Sequence, residues 1–555
     1  MSNIQGNPST PATSSVDRYD VIIIGAGISG MYQLYRLREL GLSVRVYEAG
    51  DGVGGTWYWN RYPGCRFDSE SYSYGYSFSE EVLQEWEWKE HFSGQPDNLR
   101  YLNFVADKFD LTTDIEFGAR VAKATYDESN DCWNIEFEDG STARARFLIS
   151  ATGPLSAPQM PLIDGIDDFT GEAYHTALWP QDPDGLGGRK DIDFNGKRVG
   201  VIGTGATAVQ LIPEVAKTVG ELYVFQRTPN WCAPLHNSPI DEEEQRKIKA
   251  SYPEIFKRCS ETFGAFVHGM DPRSVFDVSA EEREAIFEKL YAEPGFGIWL
   301  GNFHDTMTNV AANDLLTEFI ANKIRARVDD PVTAEKLIPK NHGFGTRRVP
   351  METHYYEVYN QDNVTLVGIK ETPIERITAT GITTSDTDYE LDTIIYATGF
   401  DHVTGALNRI EIRGLGGQKL KDKWADGPCT YLGMQTVGFP NFFTLVGPHN
   451  GSTFCNIPRC IEQNVEWVTD LIRYMAEHEY RHIEPTAEAE NAWTQHVGET
   501  AEKTLFPTAD SWFMGVSPNV PGKKRTFMLY AGGAPVYKEK CDEVAATDYA
   551  GFVLR

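Results

Sequence analysis

Two observations predict an α/β protein built on two Rossmann-like dinucleotide-binding domains. The succession strand, Gly-rich turn, helix, strand occurs twice in the 555 residues. Two later apolar strands, within residues 145–154 and 391–400, each run into Ala-Thr-Gly and read as returning strands of those units. Because the second Gly-rich unit lies between them, the second domain reads as inserted into the first. The predicted boundaries are a flexible tail over 1–17, a first domain from 18–153 and 391–555, a second from 154–229 and 335–390, and a mostly helical insertion over 230–334. At roughly 150 residues per domain, this division suits the length.

The first unit starts with an apolar strand ending Val21-Ile22-Ile23-Ile24, followed by GAGISG over residues 25–30 and a helix stopped by Gly41. Gly25 permits the tight turn, Gly27 lets a pyrophosphate approach the backbone, and Gly30 lets helix and strand pack closely. The helix N-terminus offers N–H donors and a positive dipole end to phosphate. Glu48 closes the second strand, 23 residues after Gly25, where its carboxylate would accept from ribose hydroxyls. The second unit carries Gly203, Thr204, Gly205 and Ala206, with Ala208 in the third glycine position. Its second strand ends in Gln226-Arg227-Thr228 in place of an acid. An acid there repels a 2′-phosphate, whereas Arg pairs with it in two-pronged fashion. The first unit therefore suits the adenosine of FAD and the second suits NADP, and two such sites imply a hydride relay from NADPH to flavin.

Apolar residues at 41% and aromatics at 12% are enough for sizeable cores, which excludes a disordered or fibrous chain. The 51 basic against 80 acidic residues give a net charge of −29, so nucleic acid and anionic membranes are poor partners. The run at residues 21–24 is far too short to span a bilayer, and the start of the chain lacks the basic and apolar stretches of a secretory signal. The eight cysteines include no Cys-X-X-Cys pair, so neither a metal site nor a redox dithiol is expected, and all eight are read as reduced thiols of a cytoplasmic protein.

Between the two units lies FTGEAYHTALWP, with Phe169, Gly171, His175, Trp179 and Pro180 at the spacing Phe-X-Gly-X-X-X-His-X-X-X-Trp-Pro. This segment is identified as the fingerprint of the type I Baeyer–Villiger monooxygenases, class B flavoprotein monooxygenases, and the resemblance covers nearly the whole chain. His175 is read as part of a linker coupling the nucleotide domains, not as a catalytic base. GGTWYWNRYPGCRFD, residues 54–68, resembles the family's segment beside the flavin, which implies cofactor contacts for Gly55, Thr56, Trp57 and Asp68. GFGTRRVP, residues 343–350, is similar to the stretch holding the active-site arginine, which falls on Arg348, with Arg347 near the NADP 2′-phosphate. SWFMG resembles the late loop whose tryptophan, here Trp512, reaches toward the nicotinamide nucleotide. The GVSPNVPGKK that follows runs longer than the family's usual loop, so its path is left open.

The resemblance implies an NADPH- and O2-dependent enzyme turning small-molecule ketones into esters or lactones through a C4a-peroxyflavin, with sulfoxidation as a side activity. A guanidinium, which does not lose its charge, would keep the peroxide anionic and stabilise the adduct's oxygen, with Asp68 orienting Arg348. Three rivals share features with it. An N- or S-oxygenating flavin monooxygenase has the same architecture, a disulfide reductase would need a cysteine pair near the flavin, and a nucleotide-sensing protein would have no catalysis.

Overall fold

A computed structural model describes residues 17–182, 188–451, 455–517 and 519–555. The tail expected over 1–17 lies outside these except for Asp17, which already belongs to the first strand, paired with Ala143. Strand β1 (Asp17–Ile24) leads into helix α1 (Ile28–Glu39) and β2 (Val44–Tyr47). The chain then adds β3 (Ile115–Glu116), β4 (Val121–Asp127), β5 (Cys132–Phe137) and β6 (Thr142–Ser150). β1 lies between β2 and β6, parallel to both. Its side chains alternate between two cores, Val21 and Ile23 in one, Ile22 and Ile24 in the other. Burial on both faces is why this strand is a continuous apolar run and not an alternating one.

A second sheet begins with β7 (Glu172–His175), β8 (Arg198–Ile202), helix α2 (Ala206–Val215) and β9 (Glu221–Gln226). The short β10 (Ala233–Pro234) and β11 (Met351–Glu352) pair across the intervening insertion. That insertion contains the helices Glu242–Ala250, Tyr252–Glu261 and Ala280–Ala292, the long helix α3 (Val310–Arg327) and the helix Pro331–Leu337. β12 (Val364–Gly368) joins the edge beside β9, and β13 (Ile374–Thr378), β14 (Gly381–Thr384) and β15 (Asp388–Glu390) form a small antiparallel sheet. β16 (Thr393–Tyr396) completes the order β12-β9-β8-β16-β7.

β16 corrects the predicted boundary. The sequence places residues from 391 onward in the first domain, yet β16 pairs with β8 and β7 and so belongs to the second sheet. The reason is a repeated geometry. As β6 flanks β1 and runs on into Ala151, β16 flanks β8 and runs on into Ala397. A Cβ on Gly25 would lie 2.7 Å from Ala151 O, and one on Gly203 would lie 2.5 Å from Ala397 O. Each Ala-Thr-Gly therefore closes over the Gly-rich turn of its own unit. The chain rejoins the first sheet through β17 (Glu411–Arg413), beside β4, and β18 (Phe442–Thr444), beside β6, before helix α4 (Ile457–Glu477).

The cysteine expectation needs a correction too. Cys455 and Cys460 are joined as a disulfide, with Cα atoms 6.6 Å apart, and pack with Ala265 and Ala534. Their spacing fits no dithiol motif because one precedes α4 while the other sits on its first turn. The six remaining cysteines are free. Among the described residues no helix is long and apolar enough to cross a membrane.

Candidate active site

Each Gly-rich turn leads into a helix N-terminus. Gly27 caps α1 and Gly205 caps α2, in both cases with no side-chain acceptor on the first-turn N–H groups, which remain available to phosphate. A Cβ on Gly205 would meet nothing within 4 Å, so the approach to α2 is open. The first turn is tighter. Gly25 adopts φ +105°, a Cβ on Gly27 would lie 3.3 Å from Gly55 Cα, and one on Gly30 would lie 1.8 Å from Gly25 O. Glu48, buried at the end of β2, accepts from Ala26 N at 2.7 Å and Gly50 N at 2.8 Å. Its carboxylate fixes the turn and keeps lone pairs for further donors. Asn450, fully buried, has neither its amide nitrogen nor its oxygen bonded among the described residues. Free helix-end donors with an acid beside them fit a bound dinucleotide.

Thr56 is exposed, whereas Trp57 is buried, donating through Nε1 to Tyr74 OH at 3.2 Å and packing on Phe67. The indole serves the core, leaving Gly55 and Thr56 as the surface of that segment. In the second unit, Thr204 Oγ1 donates to Thr228 O at 3.0 Å, tying the turn to the end of β9. Arg227 lies just beyond that strand, and neither it nor Arg347 forms an ion pair among the described residues. Arg347 Nε is buried without an acceptor. Burial holds the Arg347 guanidinium below its ordinary pKa, opposed by Asp510 and reinforced by the nearby Arg227. Two neighbouring cations with no carboxylate in ion-pair contact among the described residues fit a doubly charged phosphate.

Arg348 and Asp68 meet although 280 positions separate them. Arg348 Nη2 donates to Asp68 Oδ2 at 2.7 Å, and Nη1 donates to Val349 O. Asp68 is 5% exposed and is held from two further directions, by Met351 N at 3.2 Å on Oδ2 and Gln210 Nε2 at 3.3 Å on Oδ1. The Phe296 ring lies against the guanidinium, its centroid 5.2 Å from Arg348 Cζ. The arginine side chain stays 32% exposed, so a permanent cation faces accessible space with its back anchored.

Sequence reasoning missed Gln210 and Phe296. Gln210, on α2, accepts from Tyr62 OH at 2.8 Å and donates to Arg66 O at 3.0 Å, so the second unit's helix grips the segment leading to Asp68. Nothing local marks either residue, because their roles exist only across chain-distant contacts.

The linker residues have structural duties. A Cβ on Gly171 would lie 2.5 Å from the Phe169 ring and 2.7 Å from Asp392 O, so this crossing admits only glycine. His175 ends β7, its Nδ1 accepting from Ala177 N at 3.1 Å, and burial lowers its pKa. Trp179 is buried and its Nε1 donates to Lys190 O at 3.4 Å, while Pro180 O accepts from Lys190 N. Trp512 stacks on His402, ring centroids 5.1 Å apart, just past the second Ala-Thr-Gly. The loop after it returns to the same segment through Asn519 Nδ2 on Thr398 O and Lys523 on Asp401; residue 518 lies outside the described residues.

Two dinucleotide cradles joined by a short linker, with an anchored cation between chain-distant elements, define a two-nucleotide flavoprotein. An NAD(P)-binding Rossmann-like domain model matches residues 23–82. The 2-oxo-Δ3-4,5,5-trimethylcyclopentenylacetyl-CoA monooxygenase of Pseudomonas putida is 52% identical over 96% of this chain and 98% of its own. Cyclopentanone 1,2-monooxygenase of Comamonas sp. is 41% identical over 97% of this chain and 96% of its own. A crystal structure of OTEMO with FAD and NADP superposes with a TM-score of 0.94 at 51% identity, covering 98% of this chain and all of that one. The chain belongs to the Baeyer–Villiger monooxygenase family. It is an FAD-containing, NADPH-dependent monooxygenase of the class that converts ketones to esters or lactones.

Proposed function

We propose that Arg348 and Asp68 form the reacting centre, that the first unit holds FAD and the second NADPH, and that dioxygen is the co-substrate. The observation that carries this reading is the 2.7 Å pair of a part-exposed guanidinium with a buried, triply bonded carboxylate. When bound, the flavin supplies acceptance of hydride from NADPH and activation of oxygen. The protein's own part is electrostatic. The Arg348 guanidinium favours negative charge on oxygen at the reacting centre and on the ketone oxygen as it becomes tetrahedral. Asp68 cannot swing away, because Met351 N and Gln210 hold it, and it aims the guanidinium while compensating its charge. Phe296 covers one face of the cation and limits water there.

Arg227 and Arg347 are read as the seat of the NADP 2′-phosphate, and Glu48 as the acceptor for the FAD ribose. Cyclic ketones are the first substrates to test, since both curated relatives are named for oxo-bearing five-membered rings. The experiment supplies FAD-loaded protein with NADPH, a cyclic ketone and labelled dioxygen. A lactone carrying one labelled ring oxygen is expected. NADPH consumption that no ketone accelerates, or oxygenation confined to amines and sulfides, would overturn the reading.

A further inference from the structure

Helix α3 belongs to the insertion, outside both nucleotide-binding sheets, yet its side chains hold both ends of the segment that carries Arg347 and Arg348. At the upstream end, Asn313 is buried and donates through Nδ2 to Phe344 O at 2.8 Å and to Thr306 O at 2.8 Å. One turn along, Thr317 Oγ1 accepts from Phe344 N at 2.9 Å and donates to Asn313 Oδ1 at 3.2 Å. Both main-chain polar groups of the buried Phe344 are therefore satisfied by side chains of one helix, as a neighbouring strand would satisfy them. The fit leaves no spare room, for a Cβ on Gly343 would lie 1.9 Å from Asn313 Oδ1.

The downstream end is held by Arg327, at the end of the same helix. Its Nη1 donates to Glu352 Oε1 at 2.7 Å, and its Nε and Nη2 donate to Glu357 at 2.6 and 2.8 Å. Glu352 is 2% exposed and its other oxygen accepts from Tyr355 N at 2.9 Å. From Asn313 to Arg327 the helix advances about 21 Å, and the two positions lie within about 40° of each other around its axis. The strand of chain from residue 344 to 352 can reach at most about 26–29 Å when fully extended. Both ends of the segment are thereby tied to one rigid element.

We infer that Asn313, Thr317 and Arg327 are positioning residues for Arg347 and Arg348, α3 acting as a brace that sets where both guanidinium groups stand. The brace rests on the assignment of those two arginines under the proposed function. A looser segment would let Arg347 drift from the 2′-phosphate and Arg348 from the reacting centre, while the Gly-rich turn of the first unit would be untouched.

The test compares Thr317→Val, which keeps the shape and removes the hydroxyl, with Thr317→Ser, which restores it, in the full-length FAD-loaded enzyme. The readouts are amide exchange in the peptide spanning 343–349, the NADP+ dissociation constant by titration of the flavin absorbance, and hydrogen peroxide released per NADPH consumed. Thr317→Val should speed exchange in that peptide, weaken NADP+ on the order of tenfold and raise the peroxide fraction, with flavin content unchanged. Thr317→Ser should return all three toward the parent. If the valine variant does not fold, Asn313→Asp, which loses the Nδ2 donor at constant shape, takes its place with the same expectations. Parental exchange and parental NADP+ affinity, or a serine variant as impaired as the valine one, would overturn the brace. Arg348→Ala serves as the comparator. If it leaves ester per NADPH at the parental level, the site assignment itself is wrong. If it abolishes ester while the valine variant leaves the segment protected, only the brace is wrong.

Discussion

Replacing Arg348 with alanine separates the two halves of the reaction. The guanidinium places Nη2 on Asp68 and Nη1 on the Val349 carbonyl, so its remaining donors and its charge face the accessible side. A unit charge about 4 Å from a developing oxyanion is worth about 4 kcal/mol at an effective dielectric of about 20. Removal of a single oxyanion donor in enzymes costs about 2.7–4 kcal/mol. Because the side chain is 32% exposed, solvent screening argues for the lower end, about 3 kcal/mol, which corresponds to a loss of about a hundredfold in ester formation. Asp68 would retain its bonds to Met351 N and Gln210, and the FAD cradle lies elsewhere, so flavin content should not change. The assay pairs anaerobic stopped-flow reduction of the flavin by NADPH with chromatographic measurement of ester per NADPH. Arg348→Lys should recover part of the loss, since it restores charge but cannot reach Asp68 and Val349 together. The reasoning fails if the alanine variant makes ester at close to the parental rate, or if reduction slows as much as ester formation does.

Three further outcomes are expected. Arg227→Ala or Arg347→Ala should each narrow the preference for NADPH over NADH by on the order of tenfold, since a lost charge-assisted pair is worth about 1.5–3 kcal/mol; steady-state kinetics with both nucleotides would reveal an unchanged preference. Gly27→Val should yield colourless protein, because even a Cβ there lies 3.3 Å from Gly55 Cα, and Gly30→Ala should be worse, its Cβ falling 1.8 Å from Gly25 O; the flavin spectrum of the purified proteins decides. Burial pushes the pKa of His449 down to about 4, so its imidazole stays neutral in the fold. The stability this provides is complete above the unfolded value of about 6.5 and falls as pH drops toward 4, by about 2 kcal/mol at pH 5. Unfolding measured at pH 7 and 5 should show that decline, and a decline of equal size in His449→Asn would assign it to other groups.

Much of the architecture was legible because strand, Gly-rich turn, helix and strand follow one another without interruption in each unit. The contacts that make Gly25 and Gly203 obligatory are not local, for they come from the chain-distant Ala151 and Ala397. The linker was legible from its contiguous pattern, although Gly171 is wedged between the nearby Phe169 and the distant Asp392. The domain boundary was not, because residues 391–400 are an apolar strand that either sheet could accept. Only the pairing of Thr393–Tyr396 with β8 assigns it. The Cys455–Cys460 link was hidden in a similar way, since a loop and a first helical turn bring together residues whose spacing fits no motif.

By itself the sequence determined that the chain has two dinucleotide cradles, because the strand, Gly-rich turn and helix of each are contiguous, and its resemblance to a known family marked the arginine-bearing segment. Tertiary structure alone showed how the arginine is held. Asp68, Gln210, Phe296 and the side chains of α3 reach the segment carrying Arg348 from separate elements, and burial of apolar surface assembles those elements without regard to their distance along the chain.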